Sequence, residues 1–546
     1  MPLVLRAMVL ITLLSGALTA APAWAKITPA SLFTDSAVLQ QKQAIPVWGT
    51  SEPNEPITVS VGGQSAKCVA NAAGEWAVKL NPIPAGGPYT LVIAGTTSAS
   101  ITLNNVLVGE VWICGGQSNM QYGLKGWMAA NNAPAPPSDP LIHFAIVPTT
   151  VGVTPQKTVS VSWREFSSEN SGGLTAIGYF FARELRKSLG VPVGLIHDNV
   201  GGSPAEAWVS KEALAASDEL KHYVDEEQSY PARYPKMLEE YNAKLVAYTA
   251  DKAKFDADVD AAKAAGSPVP TKAPVAPYKP TEYEKWMTGP SHLYNGMIAP
   301  VAGYGIRGAI WYQGEANCGY LAPEYRTLFP ALITDWRKRW GQGDFPFYYV
   351  QLAGFTGISQ YNLGSTAAFW AATREAQRLT LKLPNTGMAT ITDLGDVKNV
   401  HPKRKEPVGV RLSLIARALT YGEKGLEYSG PVLDSVKYDG ALARVTFTHA
   451  AGLHPIEVHD ASDDGQLIAA ADKVVGFEIA GADGKYVFAD AKIDGNAVLV
   501  SNDKVKAPTG VRYGFMVYPV CNLTNGAGLP ASPFKADDWP WMTPPK

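Results

Sequence analysis

From Val111 to Gly422, short apolar runs alternate with stretches of helical period, and this alternation restricts the fold more than any other property of the chain. The run Val111-Trp-Ile-Cys is followed, after a loop, by a helical pattern over Thr175–Leu189, with Gly190 just past its end and Pro192 beyond. Val193–Ile196 then reads as a strand. The order repeats with Gly308–Tyr312, a helix over Glu324–Arg339, Phe347–Gln351, a helix over Ala367–Leu381, Met388–Thr392, and a helix over Val408–Tyr421 stopped by Gly422. Apolar runs this short suit buried strands, and the longer stretches gather their apolar residues on one helical face. Strands linked through helices pair in parallel, which predicts an α/β fold with a doubly wound sheet of about five strands.

The flanks read differently. Ile27 to about Leu103 consists of short alternating segments, such as Ile57-Thr-Val-Ser-Val-Gly-Gly and Tyr89-Thr-Leu-Val-Ile-Ala-Gly, which predicts a small β-sandwich over residues 26–105. Beyond Gly430 the alternation returns in Ala443-Arg-Val-Thr-Phe-Thr-His and Asn496-Ala-Val-Leu-Val-Ser, giving a C-terminal β domain over 429–546 and leaving 106–428 for the α/β domain. Within the latter, residues 211–264 are rich in Ala, Lys, Glu and Asp and read as long solvated helices. A proline-dense linker follows to Pro280, so 211–280 is expected to be an insertion. The first 25 residues carry Arg6, an apolar run Met8–Leu14 and a small-residue end Ala23-Trp24-Ala25, the layout of a signal peptide cleaved before Lys26. That layout predicts export, to the periplasm or outside the cell.

With 18% charged residues and a net charge of -2, there is no basic field for nucleic acid, and after the leader no apolar run reaches membrane-spanning length. Cys68, Cys114, Cys318 and Cys521 allow three pairings, of which none is favoured over four unpaired, buried thiols. No cysteine or histidine spacing forms a metal motif, His454 and His459 around Glu457 included, and no phosphate-binding glycine pattern occurs. Neither a metal nor another cofactor is expected.

In an open α/β sheet, ligands bind beyond the carboxyl ends of the strands. Four such ends here carry polar groups: Ser118 after Gly115-Gly116; Gly201-Gly202; Gln313-Gly-Glu315 with Asn317; and Asp393-Leu-Gly-Asp396 leading to His401. These residue types fill the roles of acyl transfer. Ser118 is the candidate nucleophile and His401 the base, with Asp396 or Asp393 to orient the imidazole. The amides of Ser118 and Gly202 and the side chain of Gln313 are candidate oxyanion donors. Each has a plainer reading: a turn serine, a surface histidine before Pro402, and aspartates that cap their own loop. Glu315 reads equally as a structural carboxylate paired with Arg307 or Arg374, and Trp208, Trp311 and Tyr312 as sugar-stacking or core aromatics. Ser203-Pro-Ala-Glu206 reads as a capping box at a helix start.

With these residues in place, the chain resembles the sialate O-acetylesterase family of SGNH-type hydrolases. The matching text is Gly115-Gly-Gln-Ser118-Asn-Met, Gly201-Gly-Ser-Pro-Ala-Glu-Ala-Trp208, Asn295-Gly-Met-Ile-Ala-Pro300, Gly308-Ala-Ile-Trp-Tyr-Gln-Gly-Glu315, Asp335-Trp-Arg337, Asp393-Leu-Gly-Asp396 and His401-Pro-Lys403. It continues through the Cys521-Asn-Leu region and Gly528-Leu-Pro-Ala-Ser-Pro-Phe534. The resemblance implies an SGNH-type catalytic domain between the two β domains, in an exported enzyme that removes acetyl groups from sugar hydroxyls without a metal. It implies Ser118 as nucleophile, His401 as base, and Gly202 and Gln313 as oxyanion contacts, glutamine standing where other SGNH enzymes use asparagine. Gln117, Asn119, Gly201, Trp208, Glu315 and Asn317 are the substrate-binding candidates. One departure stands out: many SGNH hydrolases carry the acid three residues before the histidine, where this chain has Lys398. The acid is therefore expected upstream, at Asp396 first and Asp393 second.

The substrate is expected to be an acetylated carbohydrate, either O-acetylated sialic acid or a hemicellulose such as xyloglucan or xylan. The alternative of a different class is a noncatalytic glycan-binding protein. For that protein Ser118 and His401 have no reason to meet.

Overall fold

In the computed structural model, which describes residues 26–319, 322–356, 369–460 and 465–539, the chain forms a large curled mixed sheet with helices on both faces and further β-sheet regions at either end. The leader expected at residues 1–25 lies outside the described residues.

One strand, Ile101–Gly116, organises the sheet. Its first half pairs antiparallel with Gly86–Gly95 in the N-terminal β region, and its second half pairs parallel with Val193–Asn199 on one side and Gly308–Tyr312 on the other. The expected boundary at residue 105 thus falls inside a single strand. Where the halves join, Glu110 is buried and accepts from Gln40, Gln41, Tyr421 and, through both oxygens, Arg307. A carboxylate so placed is stable only because every acceptor site is used.

Outward from this strand the order is Val193–Asn199, Asp139–Ile146 and the antiparallel Trp163–Phe166 in one direction, and Gly308–Tyr312, Phe347–Gln351 and Thr386–Thr390 in the other. The sequence therefore undercounts the parallel strands by Asp139–Ile146. That segment starts in a proline-rich stretch and carries His143 mid-strand, yet His143 is buried with Nδ1 2.6 Å from the Ser36 carbonyl. The last strand begins at Thr386 and ends at Thr390, earlier than predicted, because Thr392–Leu394 already turns as a 3-10 helix.

Helix Ala176–Leu189 is capped by Thr175, whose hydroxyl accepts from Gly178 N–H at 3.2 Å, and it ends on Gly190 at φ 67°. It packs with Glu406–Ile415 on the face lined by Trp112, Phe181 and Ile415. Helix Tyr325–Trp340 covers the opposite face with Leu332, Ile333 and Trp336 against Trp311 and Phe347. Each such fully buried apolar side chain contributes roughly 1.5–3 kcal/mol. Helix Phe369–Leu379 is described from residue 369, so the start expected at Ala367 lies outside the described residues.

The predicted insertion is a short helix, Lys211–Ala215, then one 44-residue helix, Lys221–Ala264, held at its base where Tyr230 stacks on Trp286 at 4.1 Å. The C-terminal β region packs Phe447, Phe477, Tyr513 and Phe534 between sheets. It also grips the α/β part. Arg374 donates to the carbonyls of Met516 and Val517, Gln351 Nε2 to Ser532 Oγ at 3.0 Å, and Tyr518 Oη to the Gly395 carbonyl at 3.0 Å. All four cysteines are unpaired; Cys114 and Cys521 are buried, but Cys68 and Cys318 only partly so.

Candidate active site

The chain leaves the central strand through Gly116, whose φ of 131° excludes ordinary side chains. A Cβ at that position would also overlap the Tyr312 carbonyl oxygen of the neighbouring strand. The chain then closes a single helical turn, Ser118–Gln121, which stands Ser118 partly exposed at the carboxyl end of the sheet. This is also where the strand order reverses direction, the position at which open α/β sheets form their clefts.

His401 arrives from the last strand's loop, 283 residues away, with Nε2 2.8 Å from Ser118 Oγ. Gly201 and Gly202 lie on the other side of the serine. The Gly201 amide donates to Gln121 Oε1 at 2.9 Å, and a Cβ built on Gly201 would lie 3.4 Å from Ser118 Cβ. Gly202, at φ 74°, faces open space. Among the described residues, neither the Ser118 nor the Gly202 amide has a hydrogen-bond acceptor, so both are free to receive a developing negative charge.

Burial first, and the charge of Lys405 second, hold the His401 imidazole below its ordinary value of 6.5. It is therefore the neutral imidazole that faces Ser118 at neutral pH.

Several sequence candidates take other roles. Gln313 is fully buried, its Nε2 donating to Asn317 Oδ1 at 2.7 Å and to the Ser203 carbonyl at 3.3 Å, while its Oε1 accepts from Tyr325. It braces strand-end loops and has no donor left for an oxyanion. Asn317 continues that brace, accepting from Ala205 N–H and donating to Glu206 Oε2 at 2.9 Å. Burial pushes the Glu206 carboxyl up to about 7. Gln117 accepts from the amides of Gly314 and Ala316, again as a loop brace. Trp208 and Trp311 meet edge to face at 6.0 Å inside the core, and Tyr312 is buried on the opposite face of the sheet, so none can stack on a sugar. The capping box does not form either. Ser203 Oγ donates back to Val200 and accepts from Trp208 Nε1, and the segment makes only the 3-10 turn Ala205–Trp208.

The two aspartates have other partners as well. Asp393 is held by Arg411 through both oxygens, at 2.7 and 2.6 Å. Asp396 Oδ1 accepts from the amides of Lys398 and Asn399, each at 2.9 Å, so it shapes its own loop. Among the described residues no carboxylate is hydrogen-bonded to the His401 ring. Asp396→Asn, which preserves that oxygen acceptor, should therefore keep kcat within about tenfold of the parent, whereas the same change in a working triad costs about 10^4-fold. Steady-state rates on an aryl acetate decide between the two values.

Glu315 pairs with neither Arg307 nor Arg374; it accepts from Asn119 Nδ2 at 2.5 Å. Asn119 Nδ2 also reaches the Val400 carbonyl at 2.9 Å, and its Oδ1 accepts from Lys405 Nζ. Lys405 escaped the sequence reading because it sits in the run Lys403-Arg-Lys405, which reads as solvated charge, yet it is 1% exposed. Also unanticipated is a partly exposed aromatic pair, Phe355 with Trp370 of helix Phe369–Leu379, ring centroids 5.6 Å apart; next to Phe355, Thr356 N–H donates to the Val397 carbonyl of the His401 loop.

Comparison with known proteins places this arrangement in context. A family model described as carbohydrate esterase, sialic acid-specific acetylesterase, matches residues 279–414. The chain is 30% identical over 434 residues to the sialate O-acetylesterase of Mus musculus, covering 74% of this chain and 75% of that protein. To the Homo sapiens sialate O-acetylesterase it is 30% identical over 442 residues, covering 75% and 74%. Among solved structures, a carbohydrate acetylesterase from Xanthomonas citri matches at 35% identity with a TM-score of 0.72, over 94% of this chain and 100% of that one.

Proposed function

The chain belongs to the sialate O-acetylesterase family and is a carboxylic ester hydrolase, and on that premise we propose that it removes O-acetyl groups from carbohydrates, sialic acids foremost, through an acyl-enzyme on Ser118. The observation that carries this reading is the 2.8 Å approach of Ser118 Oγ to His401 Nε2. In this mechanism His401 takes the serine proton as Oγ attacks the acetyl carbonyl. The amides of Ser118 and Gly202 hold the oxygen that becomes negative. The tetrahedral intermediate collapses as the imidazolium returns its proton to the departing sugar oxygen, leaving acetyl-Ser118. Water, deprotonated by the same imidazole, then releases acetate and restores the serine. A noncatalytic glycan-binding role gives no reason for this serine–histidine contact.

The test is acetate release, followed from pH 4 to 8 on O-acetylated sialic acid and, in parallel, on acetylated xylan. Because only neutral His401 can act as base, and its proton affinity is depressed, the rate should fall as pH drops through a value below 6.5. No acetate from either substrate, or a rate that is flat across that range, would overturn the proposal. Acetate from xylan alone would redirect the substrate class.

A further inference from the structure

The loop that carries His401 is held in an unusual way. Asn119, the residue after Ser118, donates to the Val400 carbonyl and accepts from Lys405 Nζ. One carboxamide thus grips both ends of the segment 400–405, with His401 inside it. The second Nδ2 hydrogen goes to Glu315 Oε1, so every polar site of this 1% exposed amide is used. The segment is tied elsewhere too: His401 N–H donates to Asn399 Oδ1 at 2.9 Å, and Asn131 Nδ2 donates to the Lys403 carbonyl at 3.1 Å.

We infer that Lys405 is a positioning residue for His401: through Asn119 its ammonium staples the imidazole-bearing segment to the Ser118 turn. This inference rests on the proposed roles of Ser118 and His401. It supplies, by backbone anchoring, part of the orienting that neither Asp396 nor Asp393 provides in this geometry.

The surroundings of the ammonium fit the role. Tyr122 and Tyr312 present ring faces at 5.0 and 5.9 Å, which stabilise a cation without neutralising it. Glu315, from the loop after strand Gly308–Tyr312, is the carboxylate that acts on the ammonium, and its Oε2 is buried without a partner. Burial raises the Glu315 carboxyl and lowers Lys405 to about 7. On the histidine's own loop, Asp393 is neutralised by Arg411 and Asp396 is turned to its own backbone. Below pH 6.5, where His401 titrates, Lys405 is therefore charged and opposes protonation of the imidazole.

The experiment compares Lys405→Met, Lys405→Gln and Ser118→Ala in the full chain, with pH–rate profiles on an aryl acetate and thermal melting of each. Lys405→Met removes both charge and donor. It should lower kcat at least tenfold with little change in KM, and move the acid limb upward by about half a pH unit or more. Lys405→Gln keeps a donor toward Asn119 but no charge; it should recover part of kcat while its limb stays shifted, and it carries the test if the Met variant does not fold. Parental kcat in both variants, with limbs that superimpose on the parent's, would overturn the inference while leaving the functional reading intact. Parental activity in Ser118→Ala would instead remove the functional reading.

Discussion

Ser118→Ala lowers kcat for an aryl acetate by about 10^4-fold or more and leaves the melting curve of the protein essentially where it was. The first half follows from the proposed mechanism, in which the Ser118 hydroxyl, 2.8 Å from His401 Nε2, is the acyl acceptor; without it that mechanism keeps only binding and the oxyanion donors proposed at the Ser118 and Gly202 amides. The second half follows from the site's packing. Ser118 is partly exposed, and the turn is held by neighbours, with the Gln117 amide on the Tyr312 carbonyl and Gln121 Oε1 on the Gly201 amide. Losing one exposed hydroxyl changes stability by no more than about 0.5 kcal/mol. His401→Ala should cost a similar factor, and the double variant little more than either alone, because the two groups act as one unit. Activity surviving in the serine variant would require another nucleophile. The nearby thiols are poor substitutes: desolvation pushes both Cys114, which is buried, and Cys318, which is partly so, far above the ordinary thiol range.

The largest stability effect is expected at Gly116. Gly116→Ala should destabilise the fold by about 3 kcal/mol or more, seen as a main thermal transition several degrees lower, and should abolish activity as well. Two costs add there. The backbone at φ 131° is strained for any residue with a Cβ, and that Cβ would collide with the Tyr312 carbonyl of the adjacent strand, which cannot retreat without breaking the Gln117 N–H bond it accepts. Gly202→Ala is the control. It shares a positive φ of 74° but has nothing within 4 Å of its added Cβ, so strain acts alone and the melting temperature falls far less. Equal losses at the two positions would show that the clash at Gly116 is relieved by movement of the sheet.

Much of the frame, and the two side chains that meet beyond its strand ends, was legible in the residues because it depends on short-range rules. The strands Gly308–Tyr312 and Phe347–Gln351 follow from uninterrupted apolar runs, and the helix ending at Leu189 from its period and from Gly190. Ser118 stood out because two glycines after a buried strand force a turn that lifts the next polar side chain out of the sheet. His401 was recognisable by residue type and by its place after a strand end.

Side-chain direction and partner choice were decided elsewhere. Whether Gln313 faces a cleft or the core is set by Tyr325 and Asn317, whether Asp393 meets imidazole or guanidinium is set by Arg411, and whether Lys405 is solvated is set by Asn119, 286 residues away. A primary sequence fixes φ/ψ preference and periodicity residue by residue. The free energy of burying a charge or an amide depends on which groups the fold brings within hydrogen-bonding reach, and that is known only when distant strand ends have met.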